Sequence, residues 1–400
     1  MRVRVELRRR LATTWRRFWW PTLDPDLFAA TDCVVAHEWL TSASGSDKVA
    51  AALVDAGGAA ALVCLSVRAD TVKTLGITVP VHQSRIGPWA SSGRRWQLAL
   101  PLMPLIWSAV DLGRARLVIT SSHSCVNSIP PSVEPDARRV CYCHTPVRYG
   151  WEWRMEQGRL PRLIRPLLRP GAWLLRRWDR HVSDRVDVFV ANSRFVADRI
   201  SRSYGRDATV IHPPIDTDRF VPARSPRRDG YLMAGRAVPY KRTDVAVAAA
   251  ERSGQPLVVA GQGPDFDRLR GSRSPLIRFV ASPSDDEMVE LMQHARAVLL
   301  PGIEDFGMVV VEAQACGTPV IVRAEGGALE ATDPAISGPR VDSDLVDDWA
   351  EALGRFDRAA WPSDQCRRDL ALRFSHAEFR RQVVSVLHPG QFADRSPVAG

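Results

Sequence analysis

The chain has 400 residues, 45% hydrophobic and 25% charged, which is the balance of an ordinary globular protein and enough length for two or three domains. Those figures exclude a disordered chain and a small disulfide-stapled one. A formal net charge of +9 suits an anionic partner: nucleic acid, a membrane surface or a phosphorylated substrate.

The first twenty residues hold seven arginines (Arg2, Arg4, Arg8, Arg9, Arg10, Arg16, Arg17), interleaved with Trp15, Trp19 and Trp20. Arginine with tryptophan is the composition of a segment lying on an anionic bilayer, and a disordered basic tail reads the same way. Arg16 and Arg17 interrupt the apolar run that a signal peptide would need, so secretion is not expected. From about Asp32 the chain repeats a β-branched run, a Gly/Ser/Pro turn and a segment of helical spacing, the signature of parallel α/β folding. Strands are expected at 33–37, 61–65, 117–121, 139–144, 186–191 and 209–212, then at 230–234, 256–260, 277–280, 297–300 and 319–322. The strongly apolar stretch 98–110 contains Pro101 and Pro104 and is shorter than the ~20 residues a spanning helix needs. With Trp89, Trp96 and Trp107 nearby, it is read as core or as a surface for a lipid acceptor. A second arginine cluster runs from Arg154 to Arg180. No nucleic-acid motif accompanies either basic cluster, so no nucleic acid is expected as a partner.

Residues 221–230 are polar and proline-rich and read as an interdomain linker. The expected organisation is a basic, aromatic segment 1–31, a Rossmann-like domain 32–220, the linker 221–230, a second Rossmann-like domain 231–365, and 366–400 as a helix packing back, with a tail. Two doubly wound domains facing a cleft would put chemistry in the loops beyond the carboxyl ends of their strands. The seven cysteines form no CxxC pair and read as reduced, buried thiols of a cytoplasmic protein. Cys141-Tyr142-Cys143-His144 reads as a buried strand rather than a metal site.

Three stretches carry chemistry. After the strand ending at Leu300 comes Glu304-Asp-Phe-Gly307-Met308-Val309, then Glu312 and Gly317-Thr-Pro. A glycine turn entering a helix leaves the amides of Gly307, Met308 and Val309 free to bind phosphate or sugar oxygens. Glu312, inside that helix, can accept from two vicinal ribose hydroxyls while Glu304 holds the other end of a nucleotide sugar. In the second stretch, Gly235-Arg236 leads to Lys241-Arg242 where a helix begins. Cations there oppose the helix dipole and suit a departing diphosphate. The third is His144-Thr-Pro-Val-Arg148-Tyr149, in which His144 ends a strand. Gly261-Gln-Gly263-Pro264 lacks the third glycine of a dinucleotide fingerprint, which counts against a dehydrogenase. Asp-x-Asp pairs at Asp24/Asp26, Asp216/Asp218, Asp265/Asp267 and Asp342/Asp344 are scattered, and no metal is expected.

In these motifs the chain from about 32 to 385 resembles glycosyltransferase family 4, with the GT-B fold. The resemblance implies that Arg236 and Lys241 hold the donor diphosphate, that Glu304 and Glu312 contact the transferred sugar and the ribose, and that His144 lines the reaction centre. Ser44-Gly45-Ser46-Asp47-Lys48 stands where the family has a Gly-Gly-x-Glu-Lys loop approaching the phosphates, and Gly45 alone is carried over. Asn192-Ser193 and Pro213-Pro-Ile-Asp216 resemble family segments, Asn192-Ser193 being equally a strand end with a helix cap. The form of the motifs is nearest the mannosyltransferase branch. The expected activity is retaining transfer of mannose from GDP-mannose to a lipid-linked or polysaccharide acceptor, without cofactor, at the cytoplasmic face of a membrane. A nucleotide-sugar epimerase of the same fold and a non-catalytic membrane- or RNA-binding assembly protein are the alternatives.

Overall fold

Strands buried on both faces must be apolar at every position, whereas strands buried on one face alternate. The runs at Cys33–Leu40 and Ala297–Leu300 are almost wholly buried, as strands inside a parallel sheet are, those at Ala208–Val210 and Ile277–Ala281 are partly exposed, and each becomes a strand of a parallel sheet. The computed structural model describes residues 15–22, 31–90, 102–130, 132, 134, 136–151, 165–271 and 274–389. The chain forms two units. Unit 1 takes in the chain up to Asn192, Val196–Ile211 and the chain from Arg380, and unit 2 takes in Ser193–Phe195 and His212–Phe379.

Unit 1 is built on a seven-stranded sheet of order β3-β2-β1-β4-β5-β6-β7. Its strands are β1 (Cys33–Leu40), β2 (Ala61–Val67), β3 (Val81–Gln83), β4 (Leu117–Ser122), β5 (Arg138–Cys143), β6 (Val188–Ala191) and β7 (Ala208–Val210). All its pairings are parallel, and central β1 aligns His37 with Cys64 on one side and Ser121 on the other. Helix α1 (Gly45–Gly57) follows β1 and buries Val49, Leu53 and Val54. Val34, Ala36, Val63 and Leu65 pack with Met103, Ile106 and Trp107 in one apolar cluster. Cys141 and Cys143 lie in another with Phe189 and Val196, as a buried strand requires.

Unit 2 carries a six-stranded parallel sheet of order β10-β9-β8-β11-β12-β13. Its strands are β8 (Tyr231–Arg236), β9 (Leu257–Gln262), β10 (Ile277–Ala281), β11 (Ala297–Leu300), β12 (Val320–Arg323) and β13 (Arg340–Val341). Side chains alternate between two cores, as the strand period of two dictates. Leu232, Ala234, Val298 and Leu300 face one core, and Tyr231, Met233, Ala297 and Leu299 face the other. The elements covering them include α2 (Thr243–Ser253), α3 (Met308–Ala315), α4 (Val346–Arg355) and α5 (Asp364–Leu372).

Three expectations are corrected. Residues 221–230 are no free linker: Arg228, at φ +65°, bonds the carbonyls of Gln293 and Ala295, the Thr318 hydroxyl and Asp364. The division at the C-terminus falls at Arg380 rather than 366, because α5 packs on α3 within unit 2 while later residues join unit 1. There Arg138 donates to the carbonyls of Val386 and Leu387, and Val383 and Leu387 line a small apolar cavity with Leu53, Ile119 and Val140.

The third correction concerns the N-terminal segment. Arg2 to Arg10 and Asp24/Asp26 lie outside the described residues, but 15–19 form a helical turn bound to unit 1. Trp20 is 4% exposed, packs its ring at a tilt against Trp107 with centroids 5.1 Å apart, and donates its Nε1 proton to the Ile106 carbonyl at 2.7 Å. Removing residues 1–20 therefore takes a core side chain with it. Trp20→Ala alone is expected to cost ~3–5 kcal/mol, read as a lower midpoint in denaturant unfolding of the full chain.

Candidate functional site

In unit 2 two loops at the carboxyl ends of adjacent strands β8 and β11 meet. After β8 the chain makes a 3₁₀ turn, Pro239–Lys241, before α2. After β11 comes Pro301-Gly302, whose added Cβ would stand 2.3 Å from the Tyr240 carbonyl oxygen and 2.5 Å from the Lys241 Cα. Glycine alone permits that approach. It brings Lys241 Nζ to 2.7 Å from Glu304 Oε1, with side chains 15% and 11% exposed. Burial disfavours the ammonium charge, but the Glu304 carboxylate outweighs it and the Lys241 pKa ends above the ordinary lysine value, despite the opposing charge of Arg236. The backbone beneath Glu304 is held as well. Its carbonyl accepts from Gly327 N at 2.8 Å, and the Asp305 carbonyl accepts from Ser193 Oγ at 2.5 Å.

Gly307 then opens α3 at φ +80°, a conformation few other residues adopt, and no side chain caps the helix. Val310 N is bonded to the Gly307 carbonyl, so the amides of Met308 and Val309 come before that first bond of the helix. Glu312 lies half-buried further along α3, and burial together with its charge pushes the Cys316 thiol up to about 12. Arg236 is exposed at the end of β8, level with Gln262 of β9. Arg242 is committed elsewhere: at φ +53° it precedes α2 and faces Asp244 and Asp344, each at 3.4 Å. The acid Asp244, not a cation, occupies the first turn, where the dipole favours it. Of the Asp-x-Asp pairs, Asp216 faces Arg219, Asp265 faces Arg268 and Asp344 faces Arg242.

Unit 1 gathers polar groups at the carboxyl ends of β1, β4 and β5. His144, half-buried after β5, has Nε2 2.8 Å from Ser121 Oγ. Ser121 Oγ is also 3.1 Å from His37 Nδ1, and His37 Nε2 is 3.2 Å from Asp47 Oδ1. His37, Asp47 and Ser121 are each at most 1% exposed. Asp47, on the first turn of α1, also receives the amides of Ser42 and Ser44 on Oδ2, so it orders the loop that places Gly45 at the helix start. Glu38 Oε1 accepts from the amides of Ser124 and Val126, and its Oε2 lies 3.3 Å from His123 Nδ1. His37, Glu38 and His123 bring potential donor atoms within 4.8 Å of one another. Because both His37 nitrogens already have partners, the three are read as a hydrogen-bond network and not as metal ligands.

Burial works against the His37 imidazolium, yet the hydrogen bond and charge of Asp47, helped by Glu38, lift its pKa above the ordinary histidine value. For His144 burial dominates, and with the neighbouring charges of His123 and His37 it holds the ring well below that value. Asn192 Nδ2 donates to the His144 carbonyl at 3.1 Å. The Ser193 hydroxyl bonds Asp305, so the adjacent amides of Arg194 and Phe195 are taken by Glu330. Sequence reasoning missed His37, Glu38, Ser121 and His123, and it set Asp47 aside when it carried over Gly45 alone from the loop 44–48. The available signal was His37-Glu38 at the end of an apolar strand, where ionisable side chains have no reason to be buried without partners.

Removing one member of the Lys241–Glu304 pair strands the other in a largely buried place, so Glu304→Gln is expected to lose up to about 3–5 kcal/mol. Lys241 has its folded pKa raised, so the pair's contribution is complete below the unfolded lysine value and is lost as pH rises through the folded one. The stability gap between wild type and Glu304→Gln, measured by denaturant unfolding, should be flat through neutral pH and narrow in alkali.

Two family models match in tandem: Glycosyltransferase Family 4 over residues 47–219 and Glycosyl transferases group 1 over 214–358. The D-inositol 3-phosphate glycosyltransferase of Mycolicibacterium smegmatis is 30% identical over 226 residues, 50% of this chain and 52% of that protein. The same-named protein of Salinispora arenicola is 33% identical over 216 residues, 44% and 48% of the two chains. The chain thus spans about half the length of the curated relatives it matches. Among solved structures, sucrose-phosphate synthase from Thermosynechococcus elongatus superposes with a TM-score of 0.70 at 17% identity, covering 90% of this chain and 99% of that one. HepE of Anabaena, solved with UDP and glucose, gives 0.67 at 17% identity, covering 89% and 99%. At such identities the structures speak to the fold alone. With the two matched models end to end and the two parallel sheets in place, the chain belongs to glycosyltransferase family 4 and has the two-domain α/β fold of the GT-B type.

Proposed function

We propose that the chain is a retaining glycosyltransferase that moves a hexose from a nucleoside diphosphate sugar to a lipid-linked or polysaccharide acceptor. The observation that carries this reading is the Lys241–Glu304 pair set beside the uncapped start of α3. A buried ammonium already fixed by a carboxylate needs no rearrangement to meet a phosphate, and charge stabilisation in catalysis depends on such fixed groups. In this reading Lys241 and the exposed Arg236 neutralise the diphosphate as it leaves and the anomeric carbon gains oxocarbenium character. Glu304 aligns Lys241 and touches the sugar, the amides of Gly307, Met308 and Val309 hold sugar and phosphate oxygens, and Glu312 takes the ribose. Gly45, at the start of α1, approaches the phosphates, and His144 serves the sugar and acceptor.

Likeness to the mannosyltransferase branch favours GDP-mannose as donor. The Anabaena neighbour solved with UDP-glucose supports a uridine nucleotide as the second reading. The relatives' name puts a phosphorylated polyol beside a polysaccharide or lipid as an acceptor to try. An epimerase would convert the donor with no acceptor present. A non-catalytic assembly protein would have no use for the buried Lys241–Glu304 pair.

The deciding assay incubates the full chain with labelled GDP-mannose, UDP-glucose and ADP-glucose, each with a membrane extract, with inositol phosphate or with no acceptor. Transfer that requires an acceptor and retains the anomeric configuration of the donor supports the proposal, and donor conversion without acceptor overturns it. Arg236→Ala is the cleaner variant, because Lys241→Ala also breaks the ion pair. It is expected to lower kcat/KM about 10²–10³-fold, the cost of one preorganised charge-stabilising donor. Transfer should persist in EDTA, and complete loss restored by manganese would show that a metal is needed.

An anionic membrane surface is the proposed location of the acceptor, at the cytoplasmic face. Among the described residues no helix is long and apolar enough to cross a membrane. Trp15 and Phe18 are 44% and 62% exposed and stack on each other, and Trp173 and Leu174 are exposed at 62% and 61%. Arg176 and Arg180 of the second cluster turn inward, to the carbonyls of Gly150 and Ser203 and over the Trp151 ring. Arg154, Arg159 and Arg162 of that cluster lie outside the described residues. Trp15→Ala with Phe18→Ala leaves Trp20 in place. This double variant is expected to sediment less with anionic vesicles than wild type, and unchanged sedimentation would move the contact away from this segment.

A further inference from the structure

The geometry points to Asp47, His37 and Ser121 as positioning residues that carry a proton away from His144: one taken up at His144 Nδ1 comes to rest on His37, beside Asp47. The four groups form one chain. His144 Nε2 is 2.8 Å from Ser121 Oγ, which is 3.1 Å from His37 Nδ1, and His37 Nε2 is 3.2 Å from Asp47 Oδ1. Ser121, His37 and Asp47 are buried, so water does not compete for these contacts.

A hydroxyl has one proton to donate, so Ser121 can give to only one histidine at a time. With His37 neutral, its Nε2–H donates to Asp47 and its bare Nδ1 accepts from Ser121. Ser121 in turn accepts from His144 Nε2–H, which leaves His144 Nδ1 bare and able to accept. When a proton binds at His144 Nδ1, the Nε2 proton passes to Ser121 Oγ and the Ser121 hydroxyl proton passes to His37 Nδ1. One proton has entered, two have moved one bond each, and the charge has crossed from His144 to His37. The end state gains a contact, because protonated Nδ1 also meets the Ser121 carbonyl at 3.2 Å.

The surroundings favour that direction. His37 is faced by Asp47 from α1, by Glu38 from its own strand, by the Cys64 thiol from β2, and by His123 and His144 from the loops after β4 and β5, with ring centroids 5.6 and 6.4 Å away. Two carboxylates near His37 outweigh its burial, whereas His144 is depressed first by burial and then by the charges of His123 and His37. His144 is therefore suited to accept a proton in passing and His37 to keep it. An acceptor hydroxyl that loses its proton on attacking the sugar is the natural source. That use of the relay rests on the transferase reading above, whereas the relay itself does not.

The test is nuclear magnetic resonance of the full chain labelled with heavy-nitrogen histidine, titrated without substrate. As His37 gains its proton, His144 is expected to stay neutral and to change from the Nε2–H to the Nδ1–H tautomer, with one shared midpoint. Asp47→Asn should lower that midpoint by about 1–3 pH units. Ser121→Ala should uncouple the two rings, and Ser121→Thr, which keeps the hydroxyl, should restore the coupling, which separates the relay from a merely structural role. A His144 tautomer that ignores His37, a cation on His144 itself, or unchanged coupling in Ser121→Ala would overturn the proposal. With an active donor and acceptor in hand, Ser121→Ala should lower kcat with little change in KM. Coupled rings in a chain without transferase activity would refute the transferase reading and leave the relay standing.

Discussion

The site in unit 2 depends on how close two backbones can come. At Gly302 a loop from β11 lies against a turn from β8 with no room for a methyl group. That contact, and not the reach of flexible side chains, sets the Lys241–Glu304 distance. A lysine side chain is among the costliest to immobilise. Here much of that cost is met during folding, through a buried partner and a fixed Cα, so it does not fall on ligand binding. The neighbouring amides at the start of α3 follow the same logic, since their directions are fixed by the helix and need no rotamer choice.

Unit 1 solves a different problem. Five ionisable side chains, His37, Glu38, Asp47, His123 and His144, converge at the carboxyl ends of largely buried parallel strands. Burying them singly would be costly, so they are joined. Glu38 is satisfied largely by backbone amides of the loop after β4, Asp47 by amides of the loop before α1, and the histidines by serine and by these acids. The two acids thus fix loops as well as balancing charge.

Much of this was legible in the sequence because it is local. Ala297–Leu300 is a strand with the ends expected of it, and Gly307 after it stands where a strand-to-helix turn needs a left-handed residue. Missed strands β3 and β13 are only three and two residues long, too short to show a period. Residues 221–230 have the composition of a linker, and only the fold reveals the carbonyls and the acid waiting for Arg228. Trp20 looked like one of three interfacial tryptophans, because composition cannot tell a ring that enters a core from one that stays outside. The Asp47–His37–Ser121–His144 chain was illegible for a plainer reason. Its contacts join residues 10, 84 and 23 positions apart, the first within the β1–α1 connection and the others across β1, β4 and the loop after β5, and no motif spans them.

The return of the chain from Arg380 into unit 1 bears on how the protein is made. Val383 and Leu387 line an apolar cavity with Leu53, Ile119 and Val140, so the core of unit 1 includes residues that follow the whole of unit 2 in the chain. During translation, domains generally fold in the order they emerge. Here unit 2, complete by Phe379, can reach its final packing while unit 1 still has an open apolar face. A chain interrupted just before Arg380 would hold all of unit 2 while unit 1 still lacked Val383 and Leu387. The packing of unit 1 thus waits on residues that are made only after every residue of unit 2.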